Sequence, residues 1–336
     1  AVICGAPWVE AALRALDPTA TWQWQVGEGQ RCEADQVVLT IEGQARALLS
    51  AERTALNFLQ LLSGVATETA RYVAAVAGTR AAIVDTRKTT PGLRAFERHA
   101  VVSGGGRNHR FSLSDAVMAK DNHLAILTAG GKDLTTELRR VKNELPHTMK
   151  LEVEVDRLDQ IPTVLAAGVD IIMLDNFNLD DLSAGVALIA GQAIVEASGG
   201  VNLDTVAAIA ATGVDIISVG ALTHSARALD LGDDLEDLLA GVAAAELAVH
   251  GHDRRVAVQA GAGLRLGETF GFFLVGEHVG VAAPVAIVDR ERVALEHALQ
   301  PRVALDLLLG QRLAAAVPAE PRAGRDRGAL VRVVLL

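Results

Sequence analysis

Five side chains that bind anions crowd into one stretch of this sequence, DTRKTTPGLRAFERHAVVSGGGRNHRFSLSDAVMAKDNH (85–123). They are Arg87, Lys88, His109, Arg110 and Lys120, set in a chain whose formal net charge is −10. A basic cluster on an acidic background points to a pocket for a strongly anionic small molecule. A nucleic-acid surface would spread its positive charge over a whole face. The guanidinium forks of Arg87 and Arg110 suit planar, two-pronged recognition of carboxylates. Lys120 taken alone would also suit Schiff-base chemistry in an apolar pocket. The dense charge around it favours an anion-binding or acid/base lysine instead.

Acidic residues follow at similar places. Glu154 and Asp175 each close an apolar run, and carboxylates so placed can hold Mg²⁺, bond ribose hydroxyls or stabilise a developing cation. The alternative reading is that they only neutralise Lys120 and Arg87. Ser198-Gly199-Gly200 and Gly220-Ala221 each follow an apolar run and precede a helical one. Their backbone N–H groups can then form a phosphate site. Gly104-Gly105-Gly106 serves a tight loop ahead of Asn108-His109-Arg110.

These residues need a scaffold that brings them together. Short apolar runs recur at 81–88, 115–123, 150–156, 170–176, 193–200 and 214–221, with helical connectors at 133–145, 157–168, 179–190 and 202–213. This is a repeated β/α unit, a barrel or an open parallel sheet. Arg87 with Lys88, Lys120, Glu154, Asp175, Ser198-Gly199-Gly200 and Gly220 fall at the C-terminal ends of these runs, which in a barrel surround one mouth. Upstream, 8–16 reads as an amphipathic helix and 22–43 as two strands about a glycine-containing turn. A long helix follows from Ser50, the expected N-cap, to about Val76, with Gly78 as its stop.

Composition agrees. The chain has 336 residues, room for one large domain or two, and is half hydrophobic but only 3% aromatic. That suits parallel strands covered by Ala-rich helices. A pI near 5.4 argues against nucleic-acid or anionic-membrane partners. Cys4 and Cys32 lack zinc or redox spacing and read as free thiols of a reducing cytosol. No signal peptide is evident, and the apolar run 270–288 is interrupted by Glu277, His278 and Pro284, as a buried segment would be. The chain opens with Ala in what reads as mid-element, as a fragment or a processed product would.

Seven motifs resemble quinolinate phosphoribosyltransferase, the carboxylating nicotinate-nucleotide pyrophosphorylase family: ERTALNFLQLLSG (52–64), DTRKTTPGLR (85–94), GGGRNHRFSLSDAVMAKDNH (104–123), LEVEVD (151–156), IIMLDN (171–176), EASGG (196–200) and GVDIISVGALTHSARALD (213–230). The resemblance covers about residues 2–235. It implies an α/β chain with an open, incomplete β/α barrel (79–235) after a truncated N-terminal α/β sandwich domain (1–78). Residues 236–336 have no counterpart, and their fold is not legible. It further implies a cytoplasmic homodimer using Mg²⁺, with quinolinate and 5-phosphoribosyl-1-pyrophosphate (PRPP) as substrates.

By the same resemblance Arg87, His109, Arg110 and Lys120 grip quinolinate, and Arg53 reaches the partner subunit's site. Lys88 and Lys120 contact PRPP, and Glu154 and Asp175 hold its ribose hydroxyls or Mg²⁺. Ser198, Gly199, Gly200, Gly220 and His224 bind the 5′-phosphate, and Lys120, Glu154 and Asp175 are the catalytic candidates. The shortened N-terminus is expected to leave an unpaired sheet edge. Competing readings are a related phosphoribosyltransferase or ModD-like paralogue with another acceptor, and an inactive anion-binding fragment. The four-cation set favours a dicarboxylate acceptor, because a monocarboxylate would leave positive charge unpaired.

Overall fold

The computed structural model describes residues 1–234 and 328–335. Residues 1–237 and 329–336 cluster as one compact unit. The expected apolar run 270–288 lies outside the described residues.

The chain begins with an extended segment and helix α1 (Ala6–Leu16), then the antiparallel strands β1 (Thr21–Trp24) and β2 (Val37–Gln44). The long helix α2 (Ala45–Ala75) follows at once. It starts five residues earlier than its sequence suggested. Ser50 is interior, its hydroxyl donating to the Arg46 carbonyl (2.8 Å), so it caps nothing. Its polar side chain gave a capping signal, but the apolar stripe continues upstream through Leu48, which is buried. Gly78 does adopt a left-handed φ of 83° just past the helix.

Six parallel strands come next: β3 (Ala82–Val84), β4 (Val117–Ala119), β5 (Leu151–Val155), β6 (Ile171–Asp175), β7 (Ile194–Ser198) and β8 (Ile216–Ser218). Their order is β3-β8-β7-β6-β5-β4, so the sheet curls through consecutive neighbours yet β3 and β4 do not pair. The barrel is therefore open. Its connectors include helices α5 (Leu134–Glu144), α6 (Ile161–Ala166), α7 (Leu179–Ile189) and α8 (Val206–Ala211), close to the segments their periodicity indicated. Helices α3 (Arg94–Ser103), whose charged RAFERH start masks the buried Phe96, Ala100 and Val101, and α4 (Asp121–Leu127), which begins inside the run read as a strand, escaped that reading. A single turn, α9 (Ala221–His224), follows β8.

Helix α2 binds the two parts of this unit. Gly64 has no side chain because the Arg227 backbone lies where a Cβ would stand. Gln60 accepts from the Leu229 N–H (3.0 Å) and donates to the Leu231 carbonyl (2.7 Å). That carries the chain into β9 (Leu231–Asp234), the edge of a second sheet ordered β1-β2-β10-β9. Strand β10 (Gly328–Leu335) pairs antiparallel with β9 and lies beside β2. Strand β10 thus lies between β2 and β9, and residues 328–335 of the segment 236–336 belong to this sheet. A strand pattern in VRVVLL names no partner, so only the assembled sheet reveals this. Among the described helices none is long and apolar enough to cross a membrane.

Candidate active site at the barrel mouth

Strand alternation sets the inner wall. In β5 Leu151, Val153 and Val155 join the core while Glu152 and Glu154 share the opposite face; in β7 Glu196 and Ser198 do the same. Register then aligns Glu154, Met173 and Glu196 across β5, β6 and β7, with Asp175 opposite Ser198 in the next row. The carboxylates and the phosphate-type turn therefore reach the same edge because the strands are parallel and in step.

The cations come from the side where the barrel is open. Residue Arg107 makes a parallel bridge to Val84, so the segment 107–110 runs along β3 into the gap before β4. Asp85, fully buried, organises it. Its carboxylate accepts the His109 N–H (2.7 Å) and an Arg98 guanidinium N–H (3.1 Å), and the Asn108 amide is oriented to donate as well (2.6 Å). Burial outweighs these donors and lifts the Asp85 pKa to about 6. Arg98 also bonds the Arg110 carbonyl and lies over the Phe111 ring at 5.3 Å.

The 86–93 loop is held just as firmly. Arg94 bonds the Thr89 hydroxyl and the Arg87 carbonyl, the buried Glu97 accepts from Thr90 N–H (3.0 Å), and the Thr223 hydroxyl donates to the Lys88 carbonyl (2.6 Å). These contacts fix the backbone of Arg87 and Lys88 while their side chains stay available.

His109 stands at the centre. Its Nε2 lies 3.3 Å from Glu196 and 3.5 Å from Glu152, both carboxylates at most 1% exposed. Burial opposes a charge on the ring, but bonding to Glu152 and Glu196 more than offsets it and raises the His109 pKa to about 10. Burial likewise raises Glu152. The Arg110 N–H donates to Nδ1 (2.8 Å), an arrangement that belongs to the neutral Nε2–H tautomer. An imidazolium would aim a second N–H at that donor, so this geometry favours the neutral ring. A single extra proton on the ring or on a carboxylate leaves the trio at the same net charge of −1. Apart from the His109 Nε2 contact, the four oxygens of Glu152 and Glu196 have no hydrogen-bond partner among the described residues, so their field acts on His109 and on Arg110.

Arg110 reaches past β4, bonding the Ala116 carbonyl (3.3 Å) and Met118 Sδ (3.4 Å). Burial and the neighbouring Arg87 charge hold its pKa below the ordinary arginine value. Two guanidinium groups that close, one of them desolvated, demand an anion. Lys120 ion-pairs Glu154 at 2.6 Å, as the neutralisation reading expected. Asp175 does not pair with Arg87 among the described residues; it accepts from its neighbour Asn176 (2.6 Å), which leaves Arg87 to the anion site.

The glycine turns are tightly determined. Gly199 has a φ of 89°, and a Cβ there would fall 2.2 Å from Asn176 Oδ1. Gly220 lies against the His224 ring and the Lys88 stem, so these three form one corner of the mouth. His224 bonds the Ser225 hydroxyl (2.7 Å). Arg53 lies on α2, its side chain 70% exposed and 3.6 Å from Glu52.

The sequence reading singled out neither Glu152, Glu196 nor Asp85. Period-2 alternation in LEVEVD was the available signal, since it puts Glu152 on the same face as Glu154.

Fold and mouth together define an open β/α-barrel protein built to take a polyanionic small molecule, with a phosphate-type turn beside a carboxylate pair and a cationic wall. The matches to known proteins narrow this. The description "Quinolinate phosphoribosyl transferase, C-terminal domain" matches residues 65–233, and the corresponding N-terminal domain matches 1–63. The chain belongs to the quinolinate phosphoribosyltransferase family. It is 45% identical over 233 residues to a probable carboxylating nicotinate-nucleotide pyrophosphorylase of Synechocystis, covering 68% of this chain and 78% of that protein. It is also 45% identical over 215 residues to the Mycobacterium leprae enzyme of that name, covering 63% and 74%. The NadC crystal structure from Streptococcus pyogenes aligns with a TM-score of 0.64 at 43% identity, over 68% of this chain and 80% of that one.

Proposed function

We propose that this protein is a carboxylating nicotinate-nucleotide pyrophosphorylase acting in de novo NAD biosynthesis. It transfers phosphoribosyl from PRPP to quinolinate and releases pyrophosphate and CO₂. The observation that carries this reading is the joining of Arg87, His109 and Arg110 at the open side of the barrel, opposite Glu154 and Asp175. A dicarboxylate and a sugar phosphate need those two unlike walls.

Quinolinate docks with its carboxylates on Arg87, His109, Arg110 and Lys120. Lys88 and Lys120 meet PRPP, whose 5′-phosphate rests on the Ser198-Gly199-Gly200 turn and the Gly220–His224 corner. The pyridine nitrogen attacks C1 as the C1–pyrophosphate bond breaks. Glu154 and Asp175 face the positive charge that develops on the ribose. N-ribosylation leaves the ring cationic, so the 2-carboxylate departs as CO₂ and C2 takes up a proton. Glu154 and Asp175 offer hard carboxylate oxygens of the kind Mg²⁺ accepts alongside substrate phosphates. Mg²⁺ bound there would neutralise the leaving group.

The exposed Arg53 suits completion of a partner's mouth in a homodimer. A phosphorylated donor that does not cross membranes suits a cytoplasmic enzyme. Among the other readings, an acceptor with one carboxylate would leave either Arg87 or Arg110 without an anion.

Incubation with quinolinate, PRPP and Mg²⁺ should yield nicotinate mononucleotide by mass, dependent on all three. A folded dimer that makes none, yet turns over another pyridine acceptor, would replace this reading with the paralogue.

A further inference from the structure

Apart from the residues of the mouth, three segments bring together a second set of donor atoms. Cys4 precedes α1, Glu28 lies between β1 and β2, and His99 sits on α3. One ligand atom from each lies within 4.8 Å of the other two. We propose that Cys4, Glu28 and His99 form a binding site for one divalent transition-metal ion of zinc type, separate from the barrel mouth.

The donor set is the first argument. A thiol, an imidazole and a carboxylate together favour zinc and its neighbours over Mg²⁺ or Ca²⁺, which seek oxygen alone. The second is preorganisation. Glu28 is anchored by the Gly5 N–H (3.0 and 3.1 Å) and the Ala6 N–H (3.0 Å). Cys4 is fully buried, and its backbone N–H and carbonyl both bond the Ser63 hydroxyl (2.9 and 3.0 Å). The His99 ring stands edge-on to Trp8 at 5.1 Å. Ligands held this way by surrounding groups are characteristic of metal sites.

The simpler reading gives Glu28 two tasks, starting α1 and pairing His99 at 2.8 Å. It does not explain why the buried Cys4 thiol is set against that same pair. Tetrahedral zinc bonds of about 2.0–2.3 Å set neighbouring ligand atoms roughly 3.3–3.8 Å apart. The Glu28–His99 pair, at 2.8 Å, must therefore open slightly on binding. His99, 41% exposed, is free to make that adjustment. On binding, the S–H bond gives way to an S–metal bond and the proton leaves to solvent. Glu28 and His99 also admit water to a fourth position. The bound ion would clamp the segment before α1 to α3, whose Arg98 supports Asp85 and Arg110.

The test titrates Co²⁺ into the chelator-stripped full chain. One equivalent should give tetrahedral visible bands and a thiolate-to-metal charge-transfer band, both displaced by Zn²⁺. Cys4→Ser should lose the charge-transfer band, Cys32→Ser should keep it, and His99→Gln should weaken binding roughly a hundredfold. A wild-type titration without the charge-transfer band would overturn the proposal, as would a band lost with Cys32 instead. If Cys4→Ser does not fold, the half-exposed His99→Gln still decides: unchanged Co²⁺ affinity in that folded variant refutes the site.

Discussion

Two histidine–carboxylate clusters in this protein look alike in composition and differ in how their carboxylates are bonded. At the mouth, Glu152 and Glu196 flank His109, and among the described residues none of their oxygens is tied to a backbone N–H. Behind α3, Glu28 meets His99 with its oxygens already taken up by the start of α1. A buried carboxylate without donors keeps its full field for whatever lies beside it. A carboxylate tied to backbone N–H groups has spent most of that field locally and serves as a fixed point. The mouth cluster therefore tunes cations, whereas the other cluster fixes geometry.

The largest effect should come from the cation the mouth cluster supports. Arg110→Ala should lower kcat/KM for quinolinate by about 3–4 kcal/mol, or roughly a thousandfold, while largely sparing PRPP binding. Steady-state kinetics with each substrate varied would show it, and near wild-type quinolinate turnover would remove the assigned role.

The paired variants Glu196→Gln and Glu28→Gln test the comparison itself. Glu196→Gln should lower quinolinate kcat/KM about tenfold, since it halves the field on His109 and leaves Arg110 in place. Glu28→Gln should instead cost about 1 kcal/mol of folding stability, the usual scale for weakening a helix start. Equal losses in both assays would erase the distinction drawn here.

The smallest effect concerns pH. The Asp85 pKa is raised in the fold, to about 6 from 3.8, so between those values the folded chain binds a proton that the unfolded chain does not. Stability from this group is complete below about pH 4 and is lost as pH rises through about 6. Urea unfolding across that window, compared with Asp85→Asn, should show the wild type losing stability with rising pH relative to the variant. A difference that is flat or grows with pH would contradict it.

Much of the site was legible because its residues arrive in contiguous motifs at strand ends. Arg87 with Lys88, and Lys120, each follow a recognisable apolar run, so strand periodicity gathers them at one edge, whereas His109 and Arg110 lie in a loop that only the fold brings there. Glu152 and Glu196 hid inside those runs, where a charged residue reads as a break in the pattern rather than part of an inner wall. Helix α3 hid behind its charged first turn, and Ser50 offered a cap that the continuing apolar stripe overrode.

What the sequence determined by itself was local and periodic: the β/α rhythm, the strand-end chemistry and the anionic character of the ligand. Side-chain period and the uniform direction of parallel strands are enough to fix those. Tertiary structure alone decided the rest. It set β10 beside β2, left the barrel open between β3 and β4 for His109 and Arg110 to enter, and brought Cys4, Glu28 and His99 together. Each of these depends on which distant segments pack against one another, and no spacing along the chain encodes that.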